Sequence, residues 1–266
     1  NYFNRINRER VSNLRIHFTI NNCRYKSKLM VVLFDADSLI FSSCYKKKES
    51  PEDDGFHHVL EDCIVKFDEV FMSIINHLED IYEITEVKTF SGSKGNFRKY
   101  ISPKYKANRN YNALPPLLND MHDFVKEQYN SIWGYGCETD DVVAKYWHEL
   151  SKSIGRDNVI IVSIDKDYKQ FPCLMYNYHF KHKVIYDITE EEALYNFYEQ
   201  MIIGDTADNV NYCKGYGKKY AEKYLAECRT KYSYVRKLYE LFKIIYKGKA
   251  RQKYVECWSL LKLKTE

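Results

Sequence analysis

Three carboxylates crowd into four residues at Glu138-Thr139-Asp140-Asp141. The stretch follows Gly134-Tyr135-Gly136 and precedes Val142, Val143, Tyr146 and Trp147, whose spacing marks the buried face of a helix. Acids in a helix's first turn are ordinary, because free N–H groups and the helix dipole favour them. One or two would need no further account. Three, with Glu138 and Asp141 one turn apart, make a focus of negative charge that calls for a cation.

More acids sit where a chain of this kind would bring them to the same place. Leu29–Phe34 is a continuous apolar run, the mark of a strand buried on both faces, and it ends in Asp35-Ala36-Asp37-Ser38. Asn158–Ile164 is the clearest strand of the sequence and ends in Asp165-Lys166-Asp167. Ligands of open α/β sheets bind at the carboxyl ends of strands, so Asp35, Asp165 and Asp167 stand where metal ligands are useful. Asp37 reads equally well as a helix cap. Gly204-Asp205-Thr206-Ala207-Asp208-Asn209 adds two acids one turn apart after a helix over Glu191–Ile203. No thiol or imidazole falls at ligand spacing, and His179 and His182 read as surface or packing residues. An all-oxygen, highly charged set suits Mg²⁺ or Mn²⁺, and two such ions support phosphodiester cleavage.

The bases are gathered elsewhere. From Val87 to Asn119 there is no Asp or Glu, whereas Lys88, Lys94, Arg98, Lys99, Lys104, Lys106 and Arg109 alternate with Phe97, Tyr100, Tyr105 and Tyr111. Cations for phosphates and rings for bases are what a single-stranded nucleic acid needs. Pro103, Pro115 and Pro116 break the segment into a loop or arch at about 93–128. Further on, Gly215-Tyr216-Gly217-Lys218-Lys219 places a flexible turn and two lysines before a helix, a second phosphate-binding pattern. Helices are expected over residues 56–82, 117–128 and 141–151. A second strand is expected at Val87–Phe90, a hairpin within Tyr176–Ile188, and a helical tail to about Leu261.

The whole reads as an α/β domain at 28–190, with a mostly parallel central sheet, followed by a helical module at 191–266. Residues 1–27 carry six bases against Glu9 and read as a basic extension, a targeting segment or a non-native addition. No apolar run is long enough to span a bilayer, and the eight cysteines show no C-x-x-C pair, which fits a soluble protein with reduced thiols in the cytoplasm.

These motifs, in this order from about Leu29 to Leu225, resemble the bacteriophage 5′-nucleases. That flap endonuclease/5′→3′ exonuclease group is related to the 5′-nuclease domain of bacterial DNA polymerase I and to phage ribonuclease H. The resemblance implies a PIN-like core, a helical arch and a helix-hairpin-helix that often holds K⁺. It implies one metal site from Asp35, Glu138, Asp140 and Asp141, and another from Asp165, Asp167, Asp205 and Asp208. Lys106 and Arg109 match residues that contact the scissile phosphate. Lys94, Arg98, Lys99, Lys104, Tyr105, Gly215, Gly217, Lys218 and Lys219 would bind nucleic acid. The expected substrate is DNA with a 5′ end, flap or nick, or an RNA–DNA hybrid. The expected protein is a monomer in a phage-infected or bacterial cell, with a polymerase or single-strand-binding protein as candidate partners. Ser91-Gly92-Ser93 departs from the pattern, because many relatives carry an acid there.

Two other readings compete. Leu33-Phe34-Asp35-Ala36-Asp37-Ser38 and Gly204-Asp205-Thr206-Ala207-Asp208 look like the first and last motifs of haloacid-dehalogenase-type phosphatases. A non-catalytic nucleic-acid-binding relative would account for the missing acid at Ser91.

Overall fold

The computed structural model describes residues 28–110 and 114–265; the basic extension 1–27 and Tyr111 lie outside the described residues. β1 (Leu29–Asp35) occupies the middle of a six-stranded sheet with β2 (Glu83–Lys94), β3 (Ile132–Tyr135), β4 (Val159–Val162), β5 (Leu174–Asn177) and β6 (Val184–Asp187). The order is β3-β2-β1-β4-β5-β6, and only the β5–β6 hairpin is antiparallel. A strand at the centre of a parallel sheet must be apolar on both faces. In β1, Met30, Val32 and Phe34 enter one core while Val31 and Leu33 enter the other; Ile160/Val162 and Val159/Ile161 of β4 divide the same way. Each such side chain contributes roughly 1.5–3 kcal/mol by leaving water.

Helices α1 (Asp37–Ser43), α2 (Leu60–Glu79) and α4 (Leu118–Gln128) cover the first face, and α5 (Thr139–Ile154) covers the second. α3 (Arg98–Ile101) lies in the long crossover between β2 and β3. A separate core joins α6 (Glu190–Ile203), α7 (Lys218–Leu225), α8 (Lys231–Tyr246) and α9 (Ala250–Leu261). No helix among the described residues is long and apolar enough to cross a membrane.

From β1 the chain moves outward through β2 to β3, then returns past β1 to β4. That reversal opens a crevice beyond the carboxyl ends of β1 and β4, where ligands of such sheets bind. Asp35 ends one of these strands, and Asp165 and Asp167 follow the other.

The short edge strand β3 is absent from the sequence reading, and β2 extends well beyond the expected Val87–Phe90. Much of β2 is only half-buried, so it lacks a continuous apolar signature.

Candidate active site

Asp35 leaves the end of β1 almost fully buried. Its Oδ2 accepts hydrogen bonds from the Tyr168 hydroxyl at 2.8 Å and Ser163 Oγ at 3.2 Å, and its Oδ1 accepts from the Asp37 N–H. Burial, reinforced by the neighbouring charge of Asp37, pushes the Asp35 carboxyl up to about 7. Asp37 itself ties two strand ends together, for its Oδ1 accepts from the Gly92 N–H at 2.7 Å. Gly92 is in the left-handed region, and a Cβ there would press on the Trp133 ring. Ser91, at the departure from the family pattern, is fully buried in a 2.6 Å hydroxyl pair with Ser131.

A turn of 3₁₀ helix, Lys166–Gln170, follows β4, with Asp165 as its cap: Asp165 Oδ1 accepts from the Asp167 N–H at 2.8 Å. Burial and the charges of Asp165 and Asp205 push Asp167 up to about 7 as well. Across the crevice, Asp140 at the start of α5 is raised well above the usual carboxylate range by burial and by Glu138 and Asp141. One carboxylate oxygen from each of Asp140, Asp165 and Asp167 lies within 4.8 Å of the other two. Three half-buried acids this close resist ionising together, and an all-oxygen donor set of this size fits a divalent cation.

Gln200 of α6 steadies the far side. Its side-chain amide donates to Asp167 Oδ1 at 2.8 Å and lies 3.3 Å from Asp205 Oδ2. Asp205 is buried; its Oδ1 accepts from the backbone N–H groups of Ala207 and Asp208, and its Oδ2 pairs with Lys166 at 2.9 Å. Burial opposes its charge, but the Lys166 bond prevails and holds the Asp205 carboxyl below its ordinary value. The turn is closed by Gly204, whose positive φ and position against the Val210 carbonyl leave no room for a Cβ.

The basic crossover folds over these acids. Lys106 Nζ pairs with Glu138 Oε1 and lies 3.5 Å from Asp208 Oδ1, and Arg109 reaches the same Asp208 oxygen at 3.2 Å. Burial opposes ionisation of Glu138, yet Lys106, Tyr105 and Arg98 together hold its carboxyl low. The docking is also a backbone match: the Lys106 N–H donates to the Asp208 carbonyl at 2.9 Å, and the Asn209 side chain donates to the Lys104 carbonyl at 2.8 Å. Both Lys106 and Asn209 have positive φ, an uncommon conformation for a residue other than glycine.

A model of the family described as 5′-3′ exonuclease, N-terminal resolvase-like domain, matches residues 30–198. The chain belongs to the 5′–3′ exonuclease family. It is a metal-dependent nuclease acting on DNA, and Asp140, Asp165 and Asp167 mark where a divalent ion fits. Solved structures share the fold. A bacteriophage T5 5′-exonuclease with bound zinc ions is 19% identical, with 88% of this chain and 86% of that one covered and a TM-score of 0.60. A bacteriophage T5 flap endonuclease complex with DNA and metal ions is 15% identical over 87% and 98%, with a TM-score of 0.55. The catalytic core of Rad2 with a DNA substrate is 12% identical over 90% and 80%, with a TM-score of 0.50. The phosphatase reading fails within the exonuclease fold, because Gly204-Asp205 ends helix α6 rather than a strand.

Three expectations are corrected by the geometry. Asp141 does not offer itself to a metal: its oxygens are taken by the Arg98 guanidinium at 2.5 and 2.8 Å and by the backbone N–H groups of Glu138 and Lys264. Arg98 does not face nucleic acid; only 1% exposed, it also donates to the Leu260 and Lys262 carbonyls. Tyr105 is not a stacking platform, because it is buried in the helical core with its hydroxyl 2.7 Å from both Glu138 and Asp208.

The grouping of acids also differs from the two implied sets, since Asp140 joins Asp165 and Asp167. Lys94 at the end of β2 and Lys99 and Lys104 on the crossover stay exposed, and Lys218 and Lys219 open α7, preceded by Gly215 and Gly217. Tyr168 and Gln200, which orient two of the acids, have no counterpart in the sequence reading. A tyrosine and a mid-helix glutamine carry no signature of that role.

Proposed function

We propose that this chain hydrolyses phosphodiester bonds at or near 5′ ends, at flaps and nicks of DNA and on RNA–DNA hybrids, with two Mg²⁺ or Mn²⁺ ions. The observation that carries the proposal is the Asp140/Asp165/Asp167 cluster roofed by Lys106 and Arg109. Divalent ions held there would supply charge to activate a water and to stabilise the leaving oxygen.

The chain's own residues supply positioning. Asp140, Asp165 and Asp167 would ligate, with Glu138, Asp35, Asp205 and Asp208 extending the set to a second ion. Tyr168 and Ser163 fix the Asp35 carboxylate, and Gln200 fixes that of Asp167. Lys106 and Arg109 face acids whose charge a bound cation would satisfy instead, which frees both side chains to grip a phosphate at the bond to be cut.

In this reading the basic crossover that carries α3, before α4 packs onto the sheet, forms the arch of a PIN-like core at 28–190. Gly215, Gly217, Lys218 and Lys219 form the helix-hairpin-helix of a module at 191–266, which holds duplex phosphates through backbone N–H groups and a K⁺ ion. Lys94, Lys99 and Lys104 attract the strand electrostatically. The products are a 5′-phosphate and a 3′-hydroxyl. A monomer acting in the cytoplasm during replication, primer removal or repair, beside a polymerase or single-strand-binding protein, fits this chemistry.

A 5′-labelled flap duplex and a matching RNA–DNA hybrid, incubated with Mg²⁺ or EDTA, test the proposal. Mg²⁺-dependent cuts near the 5′ junction should appear with the natural chain and vanish with Asp165→Asn and with Lys106→Ala/Arg109→Ala. Binding without cleavage would overturn it, and would point to the serine pair at Ser91.

A further inference from the structure

A cavity of about 560 Å³ lies between α3, the start of α8, the end of α9 and the segment after it. Its described lining includes Lys231, Lys262 and Lys264 with Phe97, Ile101 and Trp258, and none of the described lining residues is an acid. Among the described residues none of these lysines is within ion-pair distance of a carboxylate. Two of them lean on rings instead: Lys264 Nζ is 3.8 Å from the Phe97 ring centre, and Lys262 Nζ is 4.8 and 5.0 Å from those of Phe197 and Phe171. Burial and the like charge of Lys231 push the Lys262 amine down to about 8. Positive charge gathered without a partner, beside a Trp258 that is 39% exposed, lacks an anion with flat faces attached.

The cavity is one residue from the chemistry. Phe97 lines it, and the next side chain, Arg98, reaches through to Asp141 and Glu138 while holding the Leu260 and Lys262 carbonyls. Paired bases cannot offer their faces to Trp258, whereas unpaired ones can, and stacking of this kind is indifferent to sequence. The volume suits roughly one or two nucleotides. We infer that this cavity takes the single-stranded 5′ overhang of the substrate, stacking a base on Trp258 and pairing its phosphates with Lys231 and Lys264. The inference rests on the nuclease reading above and adds a subsite to it.

Two labelled substrates test it, one with a single unpaired 5′ nucleotide and one with an overhang of about ten. Trp258→Ala and Lys231→Ala/Lys264→Ala should each raise KM for the long overhang by roughly tenfold while leaving kcat intact. The ratio of kcat/KM between long and short overhangs should fall by the same factor. Equal effects on both substrates, or none, would overturn the subsite even with a working nuclease.

A binding measurement separates this from failure of the nuclease reading. Oligothymidine should quench tryptophan fluorescence in the natural chain, with the quench lost in Trp258→Phe and weakened in Lys231→Ala/Lys264→Ala. If neither substrate is cut but the quench behaves this way, the nuclease reading falls and the single-strand site stands. A quench that survives Trp258→Phe, or no quench at all, overturns the subsite.

Discussion

Asp35 and Asp167 are both raised to about 7 in the metal-free protein, chiefly by burial, with the charge of a nearby aspartate next in each case. An acid whose folded value exceeds its unfolded value, roughly 4, binds protons more tightly when folded, so its protonated form favours the native state. Stability from these two groups is therefore greatest in acid and is lost as pH rises from roughly 4 through 7. Glu138 and Asp205, held low by their cation partners, act with the opposite sign but titrate below that window. The metal-free protein should lose melting temperature between roughly pH 5 and 8. Asp167→Asn should flatten the decline, and saturating Mg²⁺ should remove most of it, since the cation replaces the proton. A melting temperature that climbs across this window in EDTA would contradict the assignment. The groups that orient these acids matter in the same way: Tyr168→Phe and Gln200→Ala should each cost about 10- to 100-fold in Mg²⁺ affinity or activity, measured by titrating Mg²⁺ into the cleavage assay.

At the scale of elements, the clamp from α3 to α5 and the end of α9 is structural. Arg98→Met would leave Asp141 buried without its partner and remove donors from the Leu260 and Lys262 carbonyls. A loss of about 3–5 kcal/mol in a denaturant titration is expected. Because Arg98 is buried, the salt dependence of DNA binding should stay as it is in the natural chain; a shallower slope would return Arg98 to the nucleic-acid surface. This clamp also shows what the sequence could and could not convey. β1 and β4 were legible because burial on both faces leaves a continuous apolar run, and the acids at their ends follow from where such strands deliver side chains. Ile132–Tyr135, an edge strand of four residues and for the most part only half-buried, is too short to register. Within the basic crossover, Arg98, Tyr105 and Lys99 look alike in one dimension. Only the packing of α9 and the acids against this segment turns the first two inward. Spacing reports a helix face, but not which distant element will cover it.

Across the whole molecule, the crossover couples the sheet to the C-terminal helices by bridging Glu138, which caps α5, and Asp208 after α6. Lys106 therefore supplies, in the metal-free protein, part of the positive charge that these acids require. A divalent ion that recruited Glu138 would displace that amine, so the ion and Lys106 would compete for one carboxylate while both oppose the same excess of negative charge. Removing the amine should separate the two effects. Lys106→Ala should bind Mg²⁺ more tightly than the natural chain, by severalfold, because the ion no longer displaces a paired cation. The same variant should be less stable without metal, since Glu138 and Asp208 lose a neutralising partner in a partly buried site. Its turnover should nevertheless fall by about 100-fold or more, if the freed lysine is what meets the scissile phosphate. Melting temperature against Mg²⁺ concentration, set beside single-turnover cleavage for both proteins, checks all three outcomes. Weaker Mg²⁺ binding in Lys106→Ala would mean that the lysine assists the ion rather than standing in its place. The crossover would then be a fixed wall of the site, and not an element that metal and substrate release.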